Sequence, residues 1–400
     1  MSTVAHTDED AGTIVRQNQE FTIFEWGPQQ GRSLLAVDRA KGVYFWDTTG
    51  KRYLDFSSQA INVNLGHADD RVIAAMKVQL EKLPYISPFM ATEARGRLGQ
   101  QLAMITPGTL SKAFFTLGGA EANENAIRVA FIVTGRRKVL SRYRSYHGAT
   151  TTTLSLSGDA RRWPAEPGLP GVVRFWGPYP YRCRWCGGTG ECTTECLNQL
   201  EDVIIHEGPH TIAALILEPI PGGYGVIVPP DGYLRGIRNL CSRYGILLIA
   251  DEVMTGFGRT GEWFAVNSED VQPDIMTISK GLTSGHAPLG VCMLSSEIAD
   301  LFQTTPFPGG LTFNSYALGC AAASATIEAF MEDELVENSR RLGLVLLERL
   351  EQLQQKHQAV GQVRGRGLFA AIELVRNRET RETFGSFEEE LPYQRVMHRI

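Results

Sequence analysis

Short continuous apolar runs alternate with amphipathic stretches through the middle of this chain. Ile212–Leu217, Ile246–Ala250, Ile275–Ile278 and Gly290–Leu294 are apolar almost throughout and too short for helices. Ala113–Phe115, Lys138–Tyr143, Thr151–Leu156 and Val172–Trp176 also read as strands. Between these runs the apolar period lengthens. Val72, Ile73, Met76 and Leu80 share one face of a helix predicted over Asp69–Lys82. Leu98, Leu102 and Ile105 share another, behind Thr92 as its N-cap. Further helices are predicted from Ala120 to about Thr134, around Leu197–Ile204 and around Leu234–Cys241. Strands without polar alternation, separated by helices, predict a mostly parallel sheet covered on both faces. Residues 61–310 are thus predicted to form one large α/β domain.

The pattern changes after residue 310. Long helices are predicted over Tyr316–Met331 and Glu334–Lys356, followed by one strand, Leu368–Leu374. Near the other end, Gly42–Phe56 reads as a hairpin turning at Thr49-Gly50. The segments 1–60 and 311–400 are therefore predicted to make a smaller α+β domain together.

Composition narrows the classes. The 400 residues carry a net charge of −5, which leaves no basic footprint for nucleic acid. No apolar run approaches the roughly 18–20 residues of a membrane span. The N-terminus, MSTVAHTDEDAG, lacks the charged-then-apolar order of a signal peptide. Seven cysteines are too few for a disulfide scaffold, and the number is odd. A reducing, cytoplasmic setting is expected.

Four features carry candidate chemistry. Asp251 stands where the run Ile246–Ala250 ends, and ligands of open α/β sheets bind outside the carboxyl ends of strands. Lys280 follows Ile275–Ile278, with Gly281 beside it. A lysine paired with a strand-end acid is a candidate for Schiff-base chemistry. Gly118, Gly119 and Ala120 open a helix after a strand, which suits a phosphate: free N–H groups and the helix dipole point at the anion. Neither a dinucleotide nor a P-loop fingerprint is present. Tyr146 and His147, in Tyr-His-Gly, follow another strand and offer an aromatic for stacking. Each feature alone has an ordinary reading as a cap, surface charge, tight turn or core residue. Together they form the set that pyridoxal 5'-phosphate needs: a phosphate cradle, a ring partner, a carboxylate for the pyridine nitrogen and a lysine for the aldehyde.

The ordered stretches FTLGGAEANEN (115–125), SYHG (145–148), Glu218-Pro219-Ile220, DEVMTGFGRTG (251–261), PDIMTISKG (273–281) and GLTFN (310–314) resemble the class III, omega-type aminotransferases of the type I pyridoxal phosphate fold. GDARRW (158–163) and YPYRC (179–183) resemble the taurine–pyruvate branch. The resemblance implies a large domain built on a mostly parallel seven-stranded sheet, and a transaminase moving an amino group from a primary amine or omega-amino compound to a 2-oxo acid, with pyruvate as the expected acceptor and ping-pong kinetics. It implies that Lys280 carries the cofactor and moves a proton, and that Asp251 pairs with the pyridine nitrogen. Val253 and Tyr146 would face the ring, and His147 belongs to the same cofactor-binding set. Glu218 lies near the cofactor, Gly118, Gly119 and Ala120 hold its phosphate, and Trp26 lines the substrate pocket. Thr312 would reach the phosphate of a neighbouring subunit, so a homodimer or a dimer of dimers is implied. An aminomutase, racemase or dialkylglycine decarboxylase would share these motifs. A non-catalytic nucleotide- or metal-binding module is the reading from a different class.

Two departures from the family pattern matter. Relatives acting on GABA, ornithine or acetylornithine tend to carry Arg after Tyr-His-Gly, but here the residue is Ala149. That removes a bidentate carboxylate ligand unless Arg161 or Arg162 replaces it. The family also usually continues to an Arg ahead of Pro-Pro-Leu, and this sequence reaches Ile400 before it, so the small domain is expected to be truncated here.

Four of the seven cysteines, Cys183, Cys186, Cys192 and Cys196, fall within 14 residues beside Gly187-Gly188. Thiols this close suit a structural zinc or, as an alternative, an iron–sulfur cluster. Free thiols in a loop are the plain reading. The spacing is shorter than in common zinc modules.

Overall fold

The computed structural model describes residues 10–186 and 192–384. The Gly187-Gly188 pair and the chain after residue 384 lie outside the described residues. The N-terminal part holds helix α1 (Ala11–Phe21), strands β1 (Val37–Lys41), β2 (Tyr44–Asp47) and β3 (Arg52–Leu54), and a short helical turn α2 (Ser58–Ile61). Helices α3 (Asp70–Lys82) and α4 (Glu93–Ile105) lead to β4 (Leu110–Thr116) and α5 (Gly119–Thr134). Then come β5 (Lys138–Arg142), α6 (Thr151–Leu156), β6 (Val172–Phe175), α7 (Thr193–Glu207), β7 (Ile212–Leu217), α8 (Tyr233–Tyr244) and β8 (Leu247–Asp251). β9 (Ile275–Ile278), β10 (Gly290–Ser295) and α9 (Ser296–Leu301) complete the middle of the chain. Helices α10 (Ala317–Glu332) and α11 (Leu335–Lys356) precede the hairpin β11 (Val360–Arg366) and β12 (Phe369–Leu374).

One seven-stranded sheet organises the molecule, in the order β4-β10-β9-β8-β7-β5-β6. β9, β8, β7, β5 and β6 pair in parallel, and β10 runs antiparallel to both of its neighbours. All six residues of β7 are buried. Ile212, Leu215 and Leu217 enter one core, while Ala213, Ala214 and Ile216 enter the other beneath α5. This division explains the unbroken apolar runs: helices cover both faces of the sheet.

The N-terminal strands form a separate antiparallel sheet, β1-β2-β3. Its turn is set by Asp47, whose Oδ1 accepts from the N–H groups of Thr49 and Lys51 at 2.9 and 3.0 Å. The C-terminal β11–β12 pair packs Phe369 against Ile220 and Val226. Among the described residues, no helix is long and apolar enough to cross a membrane.

Two local expectations fail. Thr151–Leu156 is helical, not a strand. Its threonines favour strands by propensity, but Thr150 caps the segment in a reciprocal box with Thr153, and Glu124 accepts from the N–H of Thr152 at 3.2 Å. β11 is a strand that the pattern misses, because Gly361, Arg364, Gly365 and Arg366 interrupt its apolar alternation.

Helix α11 lies directly on the β11–β12 turn. A Cβ added at Gly343 would sit 2.4 Å from the carbonyl oxygen of Gly367. Gly343→Ala is expected to destabilise by about 1–3 kcal/mol through overpacking, although helix propensity alone would gain about 1 kcal/mol. Urea unfolding followed by circular dichroism measures this. A more stable variant would mean that helix and turn separate without cost.

Candidate active site

The carboxyl ends of the strands supply the functional side chains. β8 ends on Asp251, β7 is followed by Glu218, and β9 by Ser279 and Lys280. The loop after β5 carries Tyr146, His147 and Gly148. Helix α5 begins between them, at Gly119. All these elements border one cavity of about 630 Å³. Its lining includes Trp26, Gly119, Ala120, Tyr146, His147, Glu218, Asp251, Val253 and Lys280, which the sequence marks as candidates.

Asp251 is 3% exposed, so its charge needs internal partners. Its Oδ2 accepts from His147 Nδ1 at 2.7 Å and from Asn123 Nδ2 at 2.8 Å. Its Oδ1 accepts from the Val253 N–H at 3.1 Å. Asn123 is held in turn: its Oδ1 accepts from Thr277 Oγ1 at 2.7 Å, and its amide also reaches the His147 carbonyl at 2.8 Å. Asn123 and Thr277 are therefore the site residues that sequence reasoning missed. Asn123 lies in the stretch FTLGGAEANEN, one helical turn past Gly119, and that position is the available signal.

Lys280 is mostly buried, and its ammonium makes no hydrogen bond or ion pair among the described residues. Burial lowers its pKa, while Glu218 and Asp251 oppose that shift. Its backbone φ is +45°, a left-handed conformation uncommon outside glycine. Glu218 Oε1 accepts from the Tyr146 N–H at 2.9 Å, and burial raises the pKa of its carboxyl.

Helix α5 has no side-chain cap. The N–H groups of its first turn are left for an outside acceptor. The helix also approaches Val253 closely: a Cβ at Gly119 would lie 2.8 Å from both Val253 methyls. Glycine is therefore needed for backbone contact here, separately from any role in the turn.

At the mouth, Trp26 meets Tyr146 edge to face, with ring centroids 6.1 Å apart. The Arg161 guanidinium sits 3.9 Å from the Tyr146 ring centre and 5.1 Å from that of Trp26. It is paired with Asp159. Arg162 turns to Glu166 instead. Ala149 lines the cavity, where it offers only a methyl group. Thr312 is not brought to this cavity. It lines a separate hollow of about 730 Å³ with Tyr85, Phe89 and Phe307. Gly118 caps α5 without lining the cavity.

The residues fit pyridoxal phosphate. A buried carboxylate keeps acceptor capacity on Oδ1, which suits a protonated ring nitrogen. An unpartnered amine suits an aldehyde, and a bare helix N-terminus suits a phosphate.

The sequence profile of the aminotransferase class-III family matches residues 27–391. The chain is 36% identical to a taurine–pyruvate aminotransferase of Rhodobacter capsulatus, covering 89% of this chain and 85% of that one. It is 35% identical to a putrescine–pyruvate aminotransferase of Pseudomonas aeruginosa, over 91% and 82% of the two chains. The structure of a taurine:2-oxoglutarate aminotransferase from Bifidobacterium kashiwanohense, solved with pyridoxal phosphate and glutamate, superposes with a TM-score of 0.92. Identity there is 38%, covering 97% of this chain and 88% of that one.

Next to Asp251, Glu252 is fully buried, and its carboxylate accepts from the Val266 N–H at 2.9 Å. Burial pushes its pKa from 4.5 up to about 7. A raised carboxyl pKa stabilises the fold below the unfolded value, and that stability is lost as pH rises through the folded value. Between about pH 4.5 and 8 this costs the wild type about 3 kcal/mol. Glu252→Gln is expected to flatten that part of the profile. Parallel slopes for the two proteins in denaturant unfolding across this range would exclude the assignment.

Proposed function

The chain belongs to the class III aminotransferases, and from that premise we propose how its own residues carry out the reaction. It is a pyridoxal-phosphate-dependent transaminase that moves an amino group from an amine donor to a 2-oxo acid. The observation that carries the residue assignment is the convergence of Asp251, Lys280 and the start of α5 on one cavity. When bound, pyridoxal phosphate supplies the aldehyde that takes the amino group and a ring that accepts electrons from the substrate carbon.

Asp251, faced by three donors, would hold a proton on the ring nitrogen. His147 and Asn123 fix the orientation of that carboxylate. Lys280 is the residue that would hold the aldehyde, and its amine is placed to move a proton at the reacting carbon. The depression of its pKa by burial keeps more of the amine neutral for both tasks. Glu218 anchors the Tyr146 backbone, which fixes the aromatic wall. The phosphate belongs on the first-turn N–H groups of α5.

The donor is a primary amine or omega-amino compound, and the acceptor is pyruvate. The taurine and putrescine relatives support both readings. Arg161 is the cation at the mouth that can receive a distal sulfonate or carboxylate, since Ala149 cannot. A homodimer is the working unit, with Thr312 reaching the partner's phosphate. The exposed Phe89, at 97%, and Phe56, at 85%, support a surface that a partner covers. A cytoplasmic setting accords with cysteines that form no disulfide.

Lys280→Ala is expected to lower half-transamination by at least about a hundredfold, as for loss of a general acid–base. It should also abolish the absorbance of the lysine-bound cofactor. Retention of single-turnover amine consumption would overturn the assignment. A donor panel of taurine, β-alanine, GABA, 1-phenylethylamine and putrescine against pyruvate defines the substrate class. Arg161→Gln is expected to reduce kcat/KM about tenfold or more for the anionic donors and to leave 1-phenylethylamine unchanged. Equal losses for both kinds would assign Arg161 to holding the Tyr146 wall.

A further inference from the structure

The strap between β6 and α7 brings three thiols to one point. Cys183 follows a turn of 3-10 helix at Pro180–Arg182, while Cys192 and Cys196 stand at the N-cap and in the first turn of α7. All three are buried, at 6%, 0% and 0% exposure. Their sulfur atoms lie within 4.8 Å of one another. Cys183 Sγ and Cys196 Sγ are 3.8 Å apart. Cys186 follows in the turn after Cys183 and is half-buried.

These distances select among the possible uses of clustered cysteines. A disulfide needs sulfurs about 2.05 Å apart, so this pair is unbonded. Four sulfurs around a tetrahedral zinc at about 2.3 Å lie about 3.8 Å from each other. The separation of Cys183 and Cys196 equals that edge. A tight turn carrying two thiols thus precedes a helix start carrying two more.

We propose that Cys183, Cys186, Cys192 and Cys196 form a structural zinc site that fastens the strap to the first turn of α7. Binding displaces four thiol protons to solvent and makes four Zn–S bonds, with no change in oxidation state. The site leaves no open coordination position, so it is structural and not catalytic. Its consequence lies elsewhere on the strap. Tyr179 Oη and Arg182 Nε both reach the Glu373 carboxylate of β12, which Arg364 also contacts at 2.7 Å. The zinc would therefore fix the segment that docks the C-terminal hairpin on the large sheet.

Metal analysis of the full-length holoenzyme, purified without chelator, tests this. About one zinc per chain is expected. A mercurial titration should release it, with four thiols consumed per metal. Cys196→Ser is expected to lose the zinc, and Cys320→Ala, at a buried thiol outside the cluster, to keep it. The wild-type stoichiometry decides even where Cys196→Ser fails to fold. Less than about 0.2 zinc per chain, with no uptake of added Zn²⁺ by the reduced holoenzyme, would overturn the proposal. So would iron in place of zinc, or an intact mass two hydrogens short from a Cys183–Cys196 disulfide. Cofactor content and turnover are measured in parallel. Their loss with zinc retained would count against the catalytic assignment and not against the metal site.

Discussion

One buried carboxylate constrains the architecture around it. Desolvating a charge costs several kcal/mol unless it is paired or hydrogen-bonded. Asp251 meets that cost with His147, Asn123 and the Val253 N–H. Each donor comes from a different place: the loop after β5, the helix α5, and the turn that follows β8. Those three elements must therefore hold a fixed mutual geometry for the buried acid to keep its hydrogen bonds. The support extends one step further, to Thr277 on the adjacent strand, which orients Asn123. The sheet register places Asp251 beside Thr277, so strand pairing and carboxylate orientation are the same constraint.

Close backbone approaches keep that geometry tight. Gly119 admits the Val253 side chain against the start of α5. At Gly148, which lies in a left-handed conformation, a Cβ would meet the Ala120 Cβ at 2.6 Å. A larger residue at either point would push α5 away from the strand ends. The same helix faces the second core through Ala126, Val129 and Ala130, small or β-branched residues that let it lie across the sheet. Packing and site formation thus use opposite ends and faces of one helix.

The outer parts of the molecule are joined to this centre by polar contacts. Glu373 on β12 collects Tyr179, Arg182 and Arg364, and the surrounding guanidinium and phenol groups hold its carboxyl below the usual carboxylate range against the opposing effect of burial. Arg259 ties the Gly-rich turn after β8 to Asn64 and Ser58 near the N-terminal sheet. Residues distant in sequence thereby border the cavity, with Trp26 at its mouth and Met254 packed against the C-terminal hairpin cluster.

The alternation of apolar runs and amphipathic helices was enough to define the sheet and its covering, because strands buried on both faces leave a continuous apolar signature. The strand-end positions of Asp251 and Lys280, and the glycines before α5, were legible for the same reason: topology places them once the strands are known. Thr151–Leu156 was not legible, since strand propensity and a local capping box compete and the box prevailed. β11 was not legible either, because its stability comes from pairing with β12 and from α11 packed on the turn, not from its own composition. The sequence could name His147 but not its bond to Asp251, 104 residues away. It could name four cysteines but not that three of them close to within 4.8 Å. Those distances are set by the folding of separate elements onto one sheet, and local sequence carries no record of a through-space separation.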